Sequence, residues 1–387
     1  MRIAISGASG YIGQHLSSFL EGKGYDVIPL GRDLFKEDCF DELCRCVESC
    51  EVVINLAGAS INKRWTEAYK QELYDSRICV TRQLVHAINT RSVKLELFIS
   101  ASAVGYYPAF GEYDEYHDCR GMDFLARLCG AWEEEASACS SDVRLVITRF
   151  GVVLSEDGGA LKEMLRLQRL SRVSVVVGSG QQRFPWISLF DLCRSFGYII
   201  RNRQMRGVVN LVSPDLITQK QLAHTLARAD KIRRIIPLPE FFFRLKFGEG
   251  ASFVTKGQTV HPTKLLESGF TYVYPTIEKL MNITDHHTVP ELDVKRYMGR
   301  WYEIARYENH FERGMTDVTA TYTLLPDGKI RVENEGYKGG VHKKATGRAK
   351  QPDPKNNPGK LKVAFFLWFY ADYYILELDA DYQYAVI

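Results

Sequence analysis

The sequence predicts an α/β domain built on a doubly wound parallel sheet, followed by a smaller all-β domain. Three observations carry this. Residues 1 to about 283 alternate strand-like apolar runs with stretches of helical spacing, the pattern of a parallel sheet covered on both faces. A glycine triplet stands between the first strand and the first helix. From about Pro290 onward cysteine disappears and short strands follow one another across turn signals, so this part reads as a sandwich or barrel. A chain of 387 residues is also too long for one ordinary domain.

The strands of the first part read as "RIAISGA", "YDVIPLG", "EVVINLAG", "LELFISAS" and "VRLVITRF". Between them "YIGQHLSSFLEGKG" and "SRICVTRQLVHAINT" have helical spacing. On this reading "NLAGAS" follows a fourth strand, Ser102 a fifth, and Arg149 ends a sixth. The segment "NITDHHTVPEL" holds the linker, residues 284–290. Beyond it "TATYTLL", "PDG" and "KIRVENEGY" form a strand, a turn and a strand. "KLKVAFFLWFY" and "DYYILEL" are further strands after the polar loop "QPDPKNNPG".

Composition excludes several classes. A net charge of +3 is too slight to propose a nucleic-acid partner. No run of 18 apolar residues exists, so no membrane span is expected. "MRIAISGASG" reads as a buried first strand rather than a secretory leader, so the chain is expected in the cytoplasm. There the nine cysteines are free thiols. Cys39, Cys44, Cys46 and Cys50 cluster without a C-x-x-C pair, and Cys39, Cys46 and Cys50 share one helical face. They are read as core packing, and no metal site is assigned.

"ISGASGYIG" places Gly7, Gly10 and Gly13 after a strand and at the mouth of a helix. Gly7 permits the tight turn, Gly10 lets backbone approach a pyrophosphate, and Gly13 lets helix pack on strand. The cradle, Gly7 with Ser9, Gly10, Tyr11, Ile12 and Gly13, faces an anion with backbone N–H groups and the positive helix end. A Rossmann-type dinucleotide site follows. Leu56, Ala57 and Gly58 in "NLAGAS" let the cofactor lie against backbone. At the tip of the second strand Arg32 is placed to pair a 2′-phosphate, which favours NADP; Asp33 keeps NAD as the alternative.

"GASGYIG", "VINLAGASINKRWTEAYKQELYDSRICVTRQLV", "ISASAVGYY", "DFLARLCGAWEEEA", "TRFGVVLSEDGGAL" and "GSGQQRFPWISLFDL" together resemble the atypical extended short-chain dehydrogenase/reductase group, whose members are labelled epimerase family proteins. The likeness continues through "PEFFFRLKFGEGASFVTKGQTVHPTKLLESGFTYVYPTIEKL" into that group's small C-terminal domain of unknown function. It implies a cofactor domain over 1–230 and a small domain over 231–283. Ordinary members of the wider superfamily act on a sugar carbon. A Ser or Thr holds the substrate oxygen, and a Tyr works as acid/base, its pKa lowered by a Lys four residues on.

Ser102 fits the serine position. "FLARLCGAWEE", where the dyad belongs, has neither partner, and none of the 21 tyrosines has Lys at i+4. Tyr106 and Tyr107 follow Ser102 closely and are the stand-in proton donors, although a phenol without a lysine stays near its ordinary pKa of about 10. The resemblance adds Arg77 in "YDSRI" as a cofactor contact, against a plain surface charge. Trp186 and Asp191 in "PWISLFDL" match the segment that closes the substrate cleft, against a structural Trp and a helix N-terminal Asp. A buried Arg149 in "ITRFG" needs an anionic partner, which a phosphorylated or nucleotide-linked substrate would supply.

"MGRWYEIARYENHFERGMTDVTATYTLLPDGKIRVENEGYK", with Gly299 and Trp301, resembles bacterial lipocalins over 291–387. That likeness implies an eight-stranded barrel, closed at one end by the Trp, whose calyx takes a fatty acid or lysophospholipid. "DYQYAVI" counts as a seventh strand, so the barrel is expected to be incomplete: the sequence is truncated, a neighbouring copy in a homo-oligomer completes the barrel, or the calyx is defective. The function expected is an NADP-binding epimerase or oxidoreductase acting on a nucleotide-sugar or similar anionic metabolite, with an appended lipid-binding module. The alternatives are a non-catalytic NADP(H)-sensing protein and a lipid carrier.

Overall fold

The computed structural model describes residues 1–93, 95–281, 288–289, 291–306, 314–354, 358–365 and 370–387. The chain forms two compact units, Met1–Ile283 and Thr284–Ile387.

The first unit is built on six parallel strands: β1 (Arg2–Ser6), β2 (Asp26–Leu30), β3 (Val52–Asn55), β4 (Leu97–Ala103), β5 (Arg144–Phe150) and β6 (Gly207–Leu211), in the order β6-β5-β4-β3-β1-β2. Alternate residues feed opposite faces. Ile3 and Ile5 pack with Leu16 and Leu20 of α1 (Tyr11–Glu21) and with Leu192, Phe196 and Ile199. Ala4, Val53 and Phe98 pack with α2 (Phe40–Glu48) and α3 (Glu67–Thr90). Helix α4 (Phe124–Ser137) lies against α3 and β4. The expected strand count is one too high. Residues between β2 and β3 form 3-10 turns and α2, with no strand, so "NLAGAS" follows the third strand, Ser102 lies near the end of the fourth, and Arg149 near the end of the fifth.

Cys46 and Cys50 pack against the α2–α3 core as expected, and Cys44 does too; Cys39 sits outside the helix in a 3-10 turn. The rest of the unit carries α5 (Gly159–Ser171), α6 (Leu189–Arg201), α7 (Gln219–Ala229) and α8 (Glu240–Phe247), with parallel strand pairs 152–155/186–188 and 173–177/234–238. Asp191, wholly buried in the first turn of α6, accepts from Ser188 Oγ, Arg194 and the backbone N–H groups of Val273 and Tyr274. It ties the last part of the unit to the helix.

In the second unit β7 (Gly299–Tyr302), β8 (Met315–Leu324), β9 (Ile330–Lys338), β10 (Val341–Lys350), β11 (Lys360–Ala364) and β12 (Ala371–Tyr374) form an antiparallel meander. Trp301 donates to Tyr297 O at 2.9 Å, beside a core of Tyr322, Ile330, Val332, Leu361 and Val363. "DYQYAVI" is not a seventh strand of this sheet. Among the described residues its Ala385–Val386 pairs only with Glu377–Leu378, because a tight turn at Asp379–Tyr384 folds the chain back on itself. Phe366–Phe369 of the expected strand "KLKVAFFLWFY" lie outside the described residues. So does most of the expected linker; its Val289 N–H donates to Ile375 O of the second unit. Among the described residues no helix is long and apolar enough to cross a membrane.

Candidate functional site

The cradle after β1 is shaped by what side chains would strike. Gly7 has φ +73°, and a Cβ there would meet the Leu56 backbone at 2.8 Å. At Gly13 a Cβ would lie 2.2 Å from Gly7 O. Gly10 caps α1 with no side-chain hydrogen bond, which leaves the first N–H groups of the helix facing outward. Ser9 is exposed, Tyr11 and Ile12 are partly buried, and the Tyr11 ring packs on Gly158. Arg32 is exposed just past β2, while Asp33 pairs with Lys36 at 2.5 Å.

A buried polar ladder that sequence reasoning missed sets the floor of the cradle. Ser6 Oγ donates to Asn55 Oδ1 at 2.7 Å, and Asn55 Nδ2 donates to Thr81 Oγ1 at 2.7 Å. Trp132 Nε1 also donates to Thr81 Oγ1, at 2.9 Å. Asn55 Oδ1 accepts from Ala57 N, which pins the Leu56–Gly58 loop. Arg77 reaches the same loop, donating to Ala59 O and Leu73 O at 3.0 Å each, with its guanidinium against Gly58. A Cβ on Gly58 would come within 2.9 Å of Arg77 Cζ. Among the described residues no carboxylate lies in ion-pair reach of Arg77, and burial lowers its pKa. The plain surface-charge reading does not hold.

The second cluster centres on a residue the sequence did not single out. Glu133, on α4, accepts from Ser102 Oγ at 2.6 Å. It also takes both arms of Arg149, Nε at 2.8 Å and Nη2 at 2.7 Å. Ser102 is 2% exposed, Arg149 3% and Glu133 8%. Burial alone would lower the Arg149 pKa; the hydrogen bonds and charge of Glu133 reverse this and raise it. The anionic partner expected from a substrate is therefore built into the protein. The only signal in the sequence was spacing: Glu133 falls one helical turn beyond Cys129 and on the same face.

Tyr106 and Tyr107 serve differently from expectation. Their rings flank Arg149, whose Cζ lies 3.5 and 4.7 Å from the two ring centroids. The Tyr106 hydroxyl donates to Asp118 at 2.9 Å. That of Tyr107 is shared between Asp114 O at 2.9 Å and Asn210 Oδ1 at 3.1 Å. Burial, the largest cause for both, raises their pKa. Neither phenol has a free proton. Leu125 packs on Gly105, and beside Ser102 burial pushes the Cys129 thiol up to about 12. Trp186 is wholly buried among Leu154, Leu161 and Leu222, so it is structural and does not line a cleft. A cavity of about 580 Å³ lies against Glu133 and Arg149, bounded by Tyr106, His117, Asp118 and Glu134.

A doubly wound parallel sheet with an uncapped glycine cradle after its first strand defines a dinucleotide-binding α/β protein. The chain belongs to the NAD dependent epimerase/dehydratase family, whose profile matches residues 3–211. A domain of unknown function (DUF1731) matches 238–282 and a lipocalin-like domain 292–387. The epimerase family protein YfhF of Bacillus subtilis is 33% identical, over 75% of this chain and 100% of its own. Human epimerase family protein SDR39U1, solved with NADPH, is 32% identical with a TM-score of 0.67, covering 73% of this chain and 98% of that one. A nucleoside-diphosphate sugar epimerase from Corynebacterium glutamicum is 25% identical with a TM-score of 0.58, over 73% of this chain and 58% of that one.

Proposed function

We propose that this protein is an NADP(H)-dependent oxidoreductase of the epimerase type, interconverting a hydroxyl and a carbonyl on a small metabolite. The observation that carries this is the cradle, in which the uncapped N–H groups of α1 and the tight Gly7–Gly13 approach leave space for a pyrophosphate. When bound, NADP(H) supplies or accepts a hydride. Arg32 is exposed for a 2′-phosphate, and Lys36 engages Asp33, the acid that would take the ribose of NAD. The NADPH of the human relative supports the same choice. Arg77, with no carboxylate partner among the described residues, meets an anionic group of the cofactor.

Ser102 spends its only proton on Glu133, so its oxygen is left as an acceptor for a substrate hydroxyl. As that hydroxyl loses its proton to Ser102, the Ser102 proton passes to Glu133, which lines a cavity open to water. Arg149 holds the carboxylate in place, and Tyr106 and Tyr107 hold Arg149. A nucleotide sugar is the substrate class suggested by the Corynebacterium relative. Arg149 no longer argues for it, because Glu133 balances its charge.

The test is a titration with NADPH and NADH by fluorescence transfer from protein tryptophan, followed by a search for label moving from 4-deuterated NADPH into nucleotide sugars. Tight NADPH binding is expected, with label transfer that Ser102→Ala stops while cofactor binding stays. Absence of binding by either cofactor overturns the proposal. Binding without any transfer selects the second reading, a non-catalytic NADP(H)-sensing protein, which the burial of Ser102 and the missing lysine favour. For the second unit we propose a fatty acid or lysophospholipid as ligand, supported by its lipocalin-like match and apolar core. Fatty-acid displacement on the full chain checks it.

A further inference from the structure

Helix α8 has no buried residue. Phe241, Phe242 and Leu245 are 60%, 45% and 65% exposed, and their spacing puts them on one face. The opposite side carries Phe243 and Phe247, which are partly buried. That side is therefore the one turned toward the body of the unit. Both ends are fastened. Glu240 packs on Gly178 at the start, and at the end Arg64 donates to Leu245 O at 2.7 Å and Trp65 N to Phe247 O at 3.1 Å. A Lys70–Glu249 pair at 2.5 Å follows. The apolar face is thus held outward by contacts that do not cover it.

Charge says what covers it. Arg244 and Lys246 flank the apolar face, and Lys231, Arg233 and Arg234 stand exposed on the approach to the helix. The one acid of the helix, Glu240, lies a weak 3.9 Å from Arg244. Aromatic and aliphatic side chains ringed by Lys and Arg match the boundary between headgroups and acyl chains of an anionic bilayer. We propose that α8 seats this protein on an anionic lipid surface, with Phe241, Phe242 and Leu245 entering the headgroup region and Arg244 and Lys246 meeting the phosphates. This goes beyond the redox reading and does not rest on it.

The experiment is co-sedimentation of the full chain with vesicles of phosphatidylglycerol and phosphatidylcholine, against vesicles of phosphatidylcholine alone. Binding to the anionic vesicles is expected, weaker by about fivefold or more on neutral vesicles or in raised salt. The triple variant Phe241→Ser, Phe242→Ser, Leu245→Ser is expected to lose a similar factor, about fivefold, with circular dichroism and NADPH binding unchanged. The pair Arg244→Gln, Lys246→Gln is expected to lose the preference for anionic lipid. No sedimentation with anionic vesicles overturns the proposal, and so does equal sedimentation of wild type and triple variant. A wild-type dimer that the triple variant converts to monomers, without vesicle binding, gives the face to a second copy instead.

Discussion

Ser102 Oγ donates to Glu133 Oε1 at 2.6 Å, and the same carboxylate is gripped by both arms of Arg149. The Ser102 proton is thereby committed to an internal acid. The bidentate pair is nearly solvent-free, so its desolvation is offset only while both partners are present.

Removing one partner should therefore be worse than removing both. Glu133→Ala is expected to cost about 3–5 kcal/mol, whereas Glu133→Leu with Arg149→Met costs much less. Urea unfolding measures both. A double variant as unstable as the single one would show that Arg149 is not the reason for the loss.

The cradle predicts a graded glycine series. Gly13→Ala drives a Cβ to 2.2 Å from Gly7 O and is expected to weaken NADPH binding by at least about tenfold, or about 1.4 kcal/mol. Gly10→Ala meets Gly7 O at 3.2 Å and should lose less. NADPH titration orders the two; equal losses would contradict the geometry.

Arg32→Ala is expected to weaken NADPH by about tenfold and leave NADH unchanged, because only the 2′-phosphate is lost as a partner. Parallel titrations with the two cofactors decide it, and equal weakening of both would remove Arg32 from the phosphate site.

Glu115 gives a pH dependence. Burial raises its pKa, against lowering by the backbone N–H groups of Asn210 and Lys264. Between the ordinary carboxylate value and this raised one the folded state binds more protons than the unfolded. Stability therefore falls as pH rises through that window, and the full penalty stands above it. Glu115→Gln keeps an acceptor oxygen for only one of the two N–H groups, which bond to separate carboxylate oxygens, but it removes the titration and should flatten that fall. Urea midpoints from about pH 4 to 8 test it; curves that run parallel throughout would count against a buried Glu115.

The ladder under the cradle predicts that Thr81→Val costs about 1–3 kcal/mol, since Asn55 Nδ2 and Trp132 Nε1 both lose their acceptor. Thermal unfolding reads this, and a loss smaller than a few tenths of a kcal/mol would mean that water replaces the hydroxyl.

Local pattern determined much of this protein by itself. The alternation of runs set the parallel sheet, and glycine spacing placed Gly7, Gly10 and Gly13 where a strand meets a helix, because no larger residue fits the contacts at Gly7 and Gly13. The change of pattern near Pro290 set the β unit, since strands and helices bury their faces at different periods. What tertiary structure decided is partnership. Spacing puts Glu133, unlike Glu134 and Glu135, on the helix face of Cys129, but only the packing of α4 against β4 and β5 aims it at Ser102 and Arg149. The same holds for Thr81, which joins Asn55 to Trp132, and for Trp186, whose burial comes from helices far along the chain. A side chain's charge and shape are local properties, but which partner it meets depends on elements brought together from distant sequence.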